Sequence, residues 1–117
     1  MNKVKGIIVN YDKVFFGELT FDSQIREVNN IQSINEEIII IPGFVDLHCH
    51  GGNGFDTMEG WSSIEKMASY HLAKGTTTLL ATTWTSTFDH TYNALKEFNN
   101  NITENSNLKG VHLEGPF

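Results

Sequence analysis

From Ile38 onward the sequence reads strand, helix, strand, helix, strand, and that order constrains the fold more than any other feature of the chain. It begins at Glu36-Glu37-Ile38-Ile39-Ile40-Ile41, four consecutive isoleucines held between charges and Pro42-Gly43. A β-branched run of this kind fits a strand buried on both faces, as in parallel sheets. Phe44-Val45-Asp46-Leu47-His48-Cys49-His50 continues in extended alternation and ends in Gly51-Gly52-Asn53-Gly54. Ser62 or Ser63 is placed to cap a helix with Glu65 or Lys66 in its first turn. Ile64, Met67, Ala68, His71 and Leu72 recur at helical spacing, and Gly75 closes the helix. Residues 76–84 are threonine-rich and β-branched, hence a strand. Thr87-Phe88-Asp89 starts a second helix with Tyr92, Leu95 and Phe98 on its apolar side. Asn99-Asn100-Asn101 is its exit, and the asparagine-rich stretch through Asn107 reads as a solvated loop. Lys109-Gly110-Val111-His112-Leu113-Glu114 is the last strand, stopped by Gly115-Pro116-Phe117. The alternation predicts an α/β fold, a parallel sheet with right-handed crossovers. A parallel strand with nothing after it leaves a face and an edge uncovered, so the chain is expected to be a piece of a longer one.

The residues before this alternation have no helical periodicity. Residues 4–9, 14–16 and 24–28 read as short strands, with a turn at Asn10-Tyr11-Asp12-Lys13 and a break at Asn29-Asn30. About forty residues of strand bury little apolar surface, so this segment is expected to need strands from elsewhere.

His48-x-His50 is the sharpest chemical signal. Side chains on a strand repeat every two residues, so both imidazoles leave one face, close enough to share a metal. Cys49 then points the other way, and its expected role is that of a small buried hydrophobe rather than a third ligand. An HxH pair alone is a weak signal. This one sits at the carboxyl end of an apolar strand, before a glycine-rich loop, where parallel α/β folds place their sites. Glu114 also ends a strand, and Gly115 after it permits close approach of another group. It either joins the imidazoles at one mouth or caps a following helix. His112 shares its face and is read as a buried histidine held by hydrogen bonds rather than as a ligand. Gly51-Gly52-Asn53-Gly54 lacks the Gly-Lys-Ser/Thr ending of a phosphate loop, so its glycines are expected to permit tight turns above the metal. His71 and His90 read as surface or packing residues. Trp61 and Trp84 could line a pocket but are expected in the core. No nucleophile elbow or Ser-His-Asp arrangement is visible, and Cys49 lacks the setting of a catalytic thiol.

Composition narrows the function classes. Of 117 residues 39% are hydrophobic and 19% charged, enough to form a core and unlike a disordered chain. Eight Lys+Arg against 14 Asp+Glu give a net charge of -6, with no basic cluster to meet a phosphate backbone, so no nucleic-acid partner is expected. No apolar run approaches the ~18–20 residues of a membrane span. The start of the chain lacks the apolar core of a signal peptide. Cys49 is the single cysteine, which excludes an internal disulfide and suits a reducing cytoplasm.

Two segments carry a family likeness. Pro42-Gly43-Phe44-Val45-Asp46-Leu47-His48-Cys49-His50-Gly51 resembles the PGFxDxHxHG opening of the amidohydrolase superfamily. Gly110-Val111-His112-Leu113-Glu114-Gly115-Pro116-Phe117 resembles the more restricted GxHLEGPF segment of the N-acetylglucosamine-6-phosphate deacetylase family, and Lys74-Gly75-Thr76-Thr77 resembles that family's approach to its second barrel strand. The resemblance implies that residues 1–41 belong to a small β-sandwich domain. Residues 42–117 would then hold the first three βα units of a (β/α)8 TIM-type barrel. It implies a hydrolase converting N-acetylglucosamine 6-phosphate to glucosamine 6-phosphate and acetate, a homodimer when full length. His48 and His50 would hold a divalent metal (zinc, iron or manganese, one or two per subunit). Glu114 would bind or bridge metal where many relatives use a carboxylated lysine. The ion would activate water and polarise the acetamide carbonyl, while an aspartate beyond Phe117 moves the proton, so the chain by itself is expected to be inactive. Other readings are a different amidohydrolase, such as a cyclic-amide hydrolase or nucleobase deaminase, and a non-catalytic stub. The Glu114-Gly115-Pro116-Phe117 ending argues against the former.

Overall fold

Asn10-Tyr11-Asp12-Lys13 turns the chain between two eight-residue strands, β1 (Asn2–Val9) and β2 (Val14–Phe21), which pair antiparallel from Asn2 opposite Phe21 to Val9 opposite Val14. The Asn10 amide donates to the Lys13 carbonyl at 2.9 Å, and the Tyr11 amide to the Asn10 side chain at 2.9 Å. These coordinates are a computed structural model that describes residues 1–33, 38–103 and 106–115. Two compact units divide at Pro42 and Gly43.

In the first unit, β3 (Ile25–Asn30) pairs antiparallel with β2 as far as Asn30 opposite Gly17. Asn29 and Asn30 therefore continue the strand instead of breaking it, because ladder bonds to β2 outweigh the weak intrinsic preference of asparagine. The isoleucine run also departs from expectation. Only Ile39–Ile40 form a strand, β4, which pairs parallel with Ile7 and Ile8 of β1 at the end of the order β3-β2-β1-β4. Pairing on one side leaves Ile39 65% and Ile41 52% exposed, so the run is neither buried on both faces nor part of the later parallel sheet. Pro42, which has no N–H to donate, follows it. Glu36 and Glu37 lie outside the described residues.

The second unit holds the α/β alternation, starting at Phe44. Strands β5 (Phe44–Cys49), β8 (Thr76–Thr82) and β9 (Leu108–His112) run parallel in the order β5-β8-β9. Between β5 and the first helix lies a hairpin of β6 (Gly51–Gly52) and β7 (Phe55–Asp56). Its turn residues Asn53 and Gly54 both have positive φ, 54° and 81°. This is the Asn-Gly turn whose twist suits a two-residue hairpin.

Asp56 then caps a short 3-10 turn, Thr57–Glu59, in a reciprocal capping box with Glu59. Helix α1 (Trp61–Ala73) follows with Gly60 at its N-cap. Neither Ser62 nor Ser63 is the cap. Ser63 is buried, its hydroxyl donating to Glu59 at 2.7 Å and accepting from the Asp56 amide at 2.9 Å. The capping signal lies upstream, in Asp56-Thr57-Met58-Glu59. At the other end Gly75, at φ 98°, donates to the Leu72 carbonyl.

Helix α2 (Phe88–Leu95) is capped by Thr87, whose hydroxyl accepts from the His90 amide, and α3 (Phe98–Asn101) takes in the asparagines expected as an exit. Cys49, Ile64, Met67, Ala68, Leu79, Ala81, Phe98 and Leu108 form the core between α1, α3 and the sheet. Tyr92 and Leu72 stay exposed, outside the apolar stripes assigned to them. Asn107 is buried, not solvated. Its side-chain amide donates to the carbonyls of Ala68 and Thr76, tying α1 to the start of β8.

Candidate metal centre

Near its carboxyl end β5 loses register with β8. Asp46 pairs with Leu79, yet Cys49 pairs with Ala81, so β5 spends one residue more than its neighbour over this stretch. Such a bulge re-aims side chains. Two side chains replace the interrupted ladder: the Asp46 carboxylate accepts from the His48 amide at 3.1 Å, and the Thr82 hydroxyl accepts from the Cys49 amide at 2.9 Å.

His48 and His50 leave the same face, as a period of two requires. Their Nε2 atoms lie 3.1 Å apart, and Oε2 of Glu114, just past the end of β9, lies 2.8 Å from His48 Nε2 and 3.1 Å from His50 Nε2. All three side chains are partly open to solvent, at 50%, 36% and 43% exposure. Nδ1 of His50 donates to the Thr82 carbonyl at 3.2 Å, which places the ring proton there and turns the Nε2 lone pair toward His48 and Glu114. Two imidazole nitrogens and a carboxylate oxygen thus meet at one point.

That spacing fits a metal ion. Donors bound about 2.0–2.2 Å from one ion stand ~2.8–3.6 Å from each other in octahedral or tetrahedral geometry, and the observed edges of 2.8–3.1 Å lie at the short end of this range. Among the described residues this trio is the group of histidine, cysteine and acidic side chains able to hold a metal.

The other residues marked from the sequence divide. His112 is half-buried and outside the donor group, donating from Nδ1 to the Leu47 carbonyl at 3.1 Å and packing edge-on against His48 with centroids 4.6 Å apart. Cys49 is buried on the opposite face, as expected, and makes more contacts than a simple hydrophobe. Its thiol donates to the Gly51 carbonyl at 3.4 Å and lies 3.3 Å from His71 Nε2. Burial pushes this thiol above its ordinary pKa and the charge of Asp46 adds to that, while the Gly51 contact opposes it. A raised pKa suits a structural thiol rather than a nucleophile. His71 also donates to the Gly51 carbonyl at 3.1 Å, tying the hairpin to α1. His90 is exposed and bonded to Ser86.

Trp61 packs edge-on against Phe98, half-buried. Trp84 is 51% exposed and not in the core, its ring 5.7 Å from that of His50 and tilted by 30°. Gly115 does permit a close approach. At φ 73°, a Cβ there would come within 2.5 Å of Thr85 Oγ1. Sequence reasoning missed Asp46, Thr82 and Thr83. The available signal was a pair of threonines, the last residue of β8 and the one after it, level with the histidines on the neighbouring strand.

Parallel strands that bring two imidazoles and a carboxylate together at their carboxyl ends make this an α/β protein with a site able to hold a metal. Residues 39–117 match the amidohydrolase family, and the chain belongs to that family. It is similar to the N-acetylglucosamine-6-phosphate deacetylase of Bacillus subtilis (strain 168), 38% identical over 86 residues that make up 68% of this chain and 22% of that protein. The enzyme of the same name from Danio rerio is 31% identical over 119 residues, 97% of this chain and 28% of the relative. Among solved structures, N-acetylglucosamine-6-phosphate deacetylase from Thermotoga maritima superposes with a TM-score of 0.85 at 35% identity, over 98% of this chain and 32% of that one. The chain therefore spans between a fifth and a third of the length of these relatives. No helix among the described residues is long and apolar enough to cross a membrane.

Proposed function

We propose that these residues are the amino-terminal part of a metal-dependent hydrolase that removes the acetyl group from N-acetylglucosamine 6-phosphate, giving glucosamine 6-phosphate and acetate. The observation that carries the reading is the meeting of His48 Nε2, His50 Nε2 and Glu114 Oε2 within 2.8–3.1 Å, with the His50 proton held on the far nitrogen. The names of the similar proteins support the substrate. On this reading residues 1–41 belong to a small β-sandwich and residues 42–117 to the first three βα units of a TIM-type barrel.

His48 and His50 act as neutral donors and Glu114 as the charged one for a divalent ion, zinc, iron or manganese. When bound, the ion supplies Lewis acidity toward water and the acetamide carbonyl. The chain's own residues prepare the site. The Thr82 carbonyl keeps a proton on Nδ1 of His50, the Asp46 carboxylate fixes the backbone of His48, and the half-exposed Trp84 ring forms a wall beside His50. The acid/base aspartate lies beyond this chain, and the whole enzyme works as a homodimer in the cytoplasm on a small amino-sugar phosphate.

The test uses the full-length protein that carries these residues. Acetate release from N-acetylglucosamine 6-phosphate should stop on chelation, return with added Zn²⁺, Fe²⁺ or Mn²⁺, and fall by ~100-fold or more in Glu114→Gln, since ligand loss exceeds the ~10–100-fold effect of outer partners. Turnover indifferent to both chelator and Glu114→Gln would overturn the proposal, as would hydrolysis of a cyclic amide in place of the acetamido sugar.

A further inference from the structure

Resting on that metal-site reading, we propose that Thr82 and Thr83 are the positioning residues of the centre, one for each side of it. In the order β5-β8-β9, β8 is the central strand, flanked both by the strand that carries the histidines and by the strand that leads to Glu114. Its last residue and the next one touch both. The Thr82 hydroxyl accepts from the Cys49 amide at 2.9 Å and donates to the Leu80 carbonyl at 3.3 Å, so its rotor has a fixed direction. The amide it satisfies lies between the two histidines, at the bulge where the ladder is interrupted. The carbonyl of the same residue receives Nδ1–H of His50.

Thr83 works on the other side. Its amide donates to the His112 carbonyl at 3.0 Å, and its hydroxyl accepts from the Glu114 amide at 3.3 Å. Both threonines are at most 1% exposed, and branching at Cβ restricts each to few χ1 rotamers. A buried amide left without an acceptor would pull its segment toward another partner. Loss of the Thr82 hydroxyl thus moves the backbone between His48 and His50, and loss of the Thr83 hydroxyl moves that of Glu114. Neither threonine is a ligand.

The test substitutes each by its isostere and by serine, and reads Co²⁺ affinity from the visible spectrum of the full-length protein. Thr82→Val and Thr83→Val should each weaken Co²⁺ binding by ~10–100-fold, the range for groups that orient metal ligands, and serine at either position should restore it. Thr76→Val, a buried threonine of the same strand remote from the donors, should leave Co²⁺ affinity unchanged. In metal-free protein, ¹⁵N NMR should find His50 with its proton on Nδ1, and a tautomer mixture in Thr82→Val, where valine keeps the carbonyl but the backbone carrying His50 shifts away from it. Unchanged affinity and tautomer in the valine variants would overturn the proposal, and so would an equal loss in Thr76→Val. Should Thr82→Val not fold, Thr83→Val decides alone, with weakened binding in support and wild-type binding against. If the unsubstituted protein binds no Co²⁺, the metal reading fails while the tautomer still decides the role of Thr82.

Discussion

A single proton on Nδ1 of His50 settles which nitrogen of that ring faces Glu114, and the Thr82 carbonyl holds it there. The cysteine between the two histidines answers to different neighbours, Gly51 and His71. Metal content should therefore drop sharply when His48 and His50 are both replaced by alanine in the full-length protein, and stay nearly constant in Cys49→Ala. Elemental analysis reads both, and equal depletion in the cysteine variant would contradict the assignment of faces. A second residue-scale prediction concerns Glu18, which Lys3 meets at 2.8 Å and Lys5 at 3.4 Å. The hydrogen bond from Lys3 holds the Glu18 carboxyl below its ordinary pKa, and the same bond raises that of Lys3. A depressed carboxyl stabilises the fold above its ordinary value and loses that contribution as pH falls through the folded value. A raised lysine contributes below its ordinary value and loses it as pH rises through the folded one. The pair is thus at full strength between these limits. Titration of the Glu18 carboxyl by ¹³C NMR should show a low midpoint that rises in Lys3→Met, with Lys5 retaining part of the shift. An unmoved midpoint would mean that the pair is not formed in solution.

At the scale of elements, the two-residue hairpin and the bulge give the mouth of the sheet its shape. Gly54 sits at φ 81°, where a Cβ meets its own backbone, so Gly54→Ala should cost about 1–2 kcal/mol of stability in chemical denaturation, and Asn53→Gly should be tolerated. A Gly54→Ala variant as stable as the parent would mean that the turn is not the one described. Some of this was legible in the residues and some was not. The HxH pair could be read because the strand period is independent of what lies around it. The Asn-Gly hairpin carries its own signal, although glycine-rich sequence pointed only to tight turns. The bulge could not be read, since register is a property of two strands and depends on Leu79 and Ala81 as much as on Asp46 and Cys49. The isoleucine run misled for the same reason. Its composition says strand, and pairing with Ile7 and Ile8 of β1 decides which sheet. Asn107 looked solvated because nothing local announces the carbonyls of Ala68 and Thr76 that receive its side chain.

For the molecule as a whole, the proposed reading is that the first strands of this fold hold the metal donors of a deacetylase whose remaining machinery lies elsewhere in a longer protein. The chain covers 22% of the Bacillus subtilis relative. On the proposed reading it supplies three donors without the acid/base aspartate or the sugar-phosphate pocket. Oriented groups held together can account for ~7–11 kcal/mol of a barrier, so the 117 residues alone should release no acetate from N-acetylglucosamine 6-phosphate above a metal-only control. Release abolished by Glu114→Gln would show that the chain assembles a working site unaided. Anomalous diffraction at the zinc edge, from crystals of the full-length protein grown with Zn²⁺, locates the ion directly. A peak is expected about 2.0–2.2 Å from His48 Nε2, His50 Nε2 and an oxygen of Glu114. A zinc peak held by other side chains, with these three left uncoordinated, would contradict it.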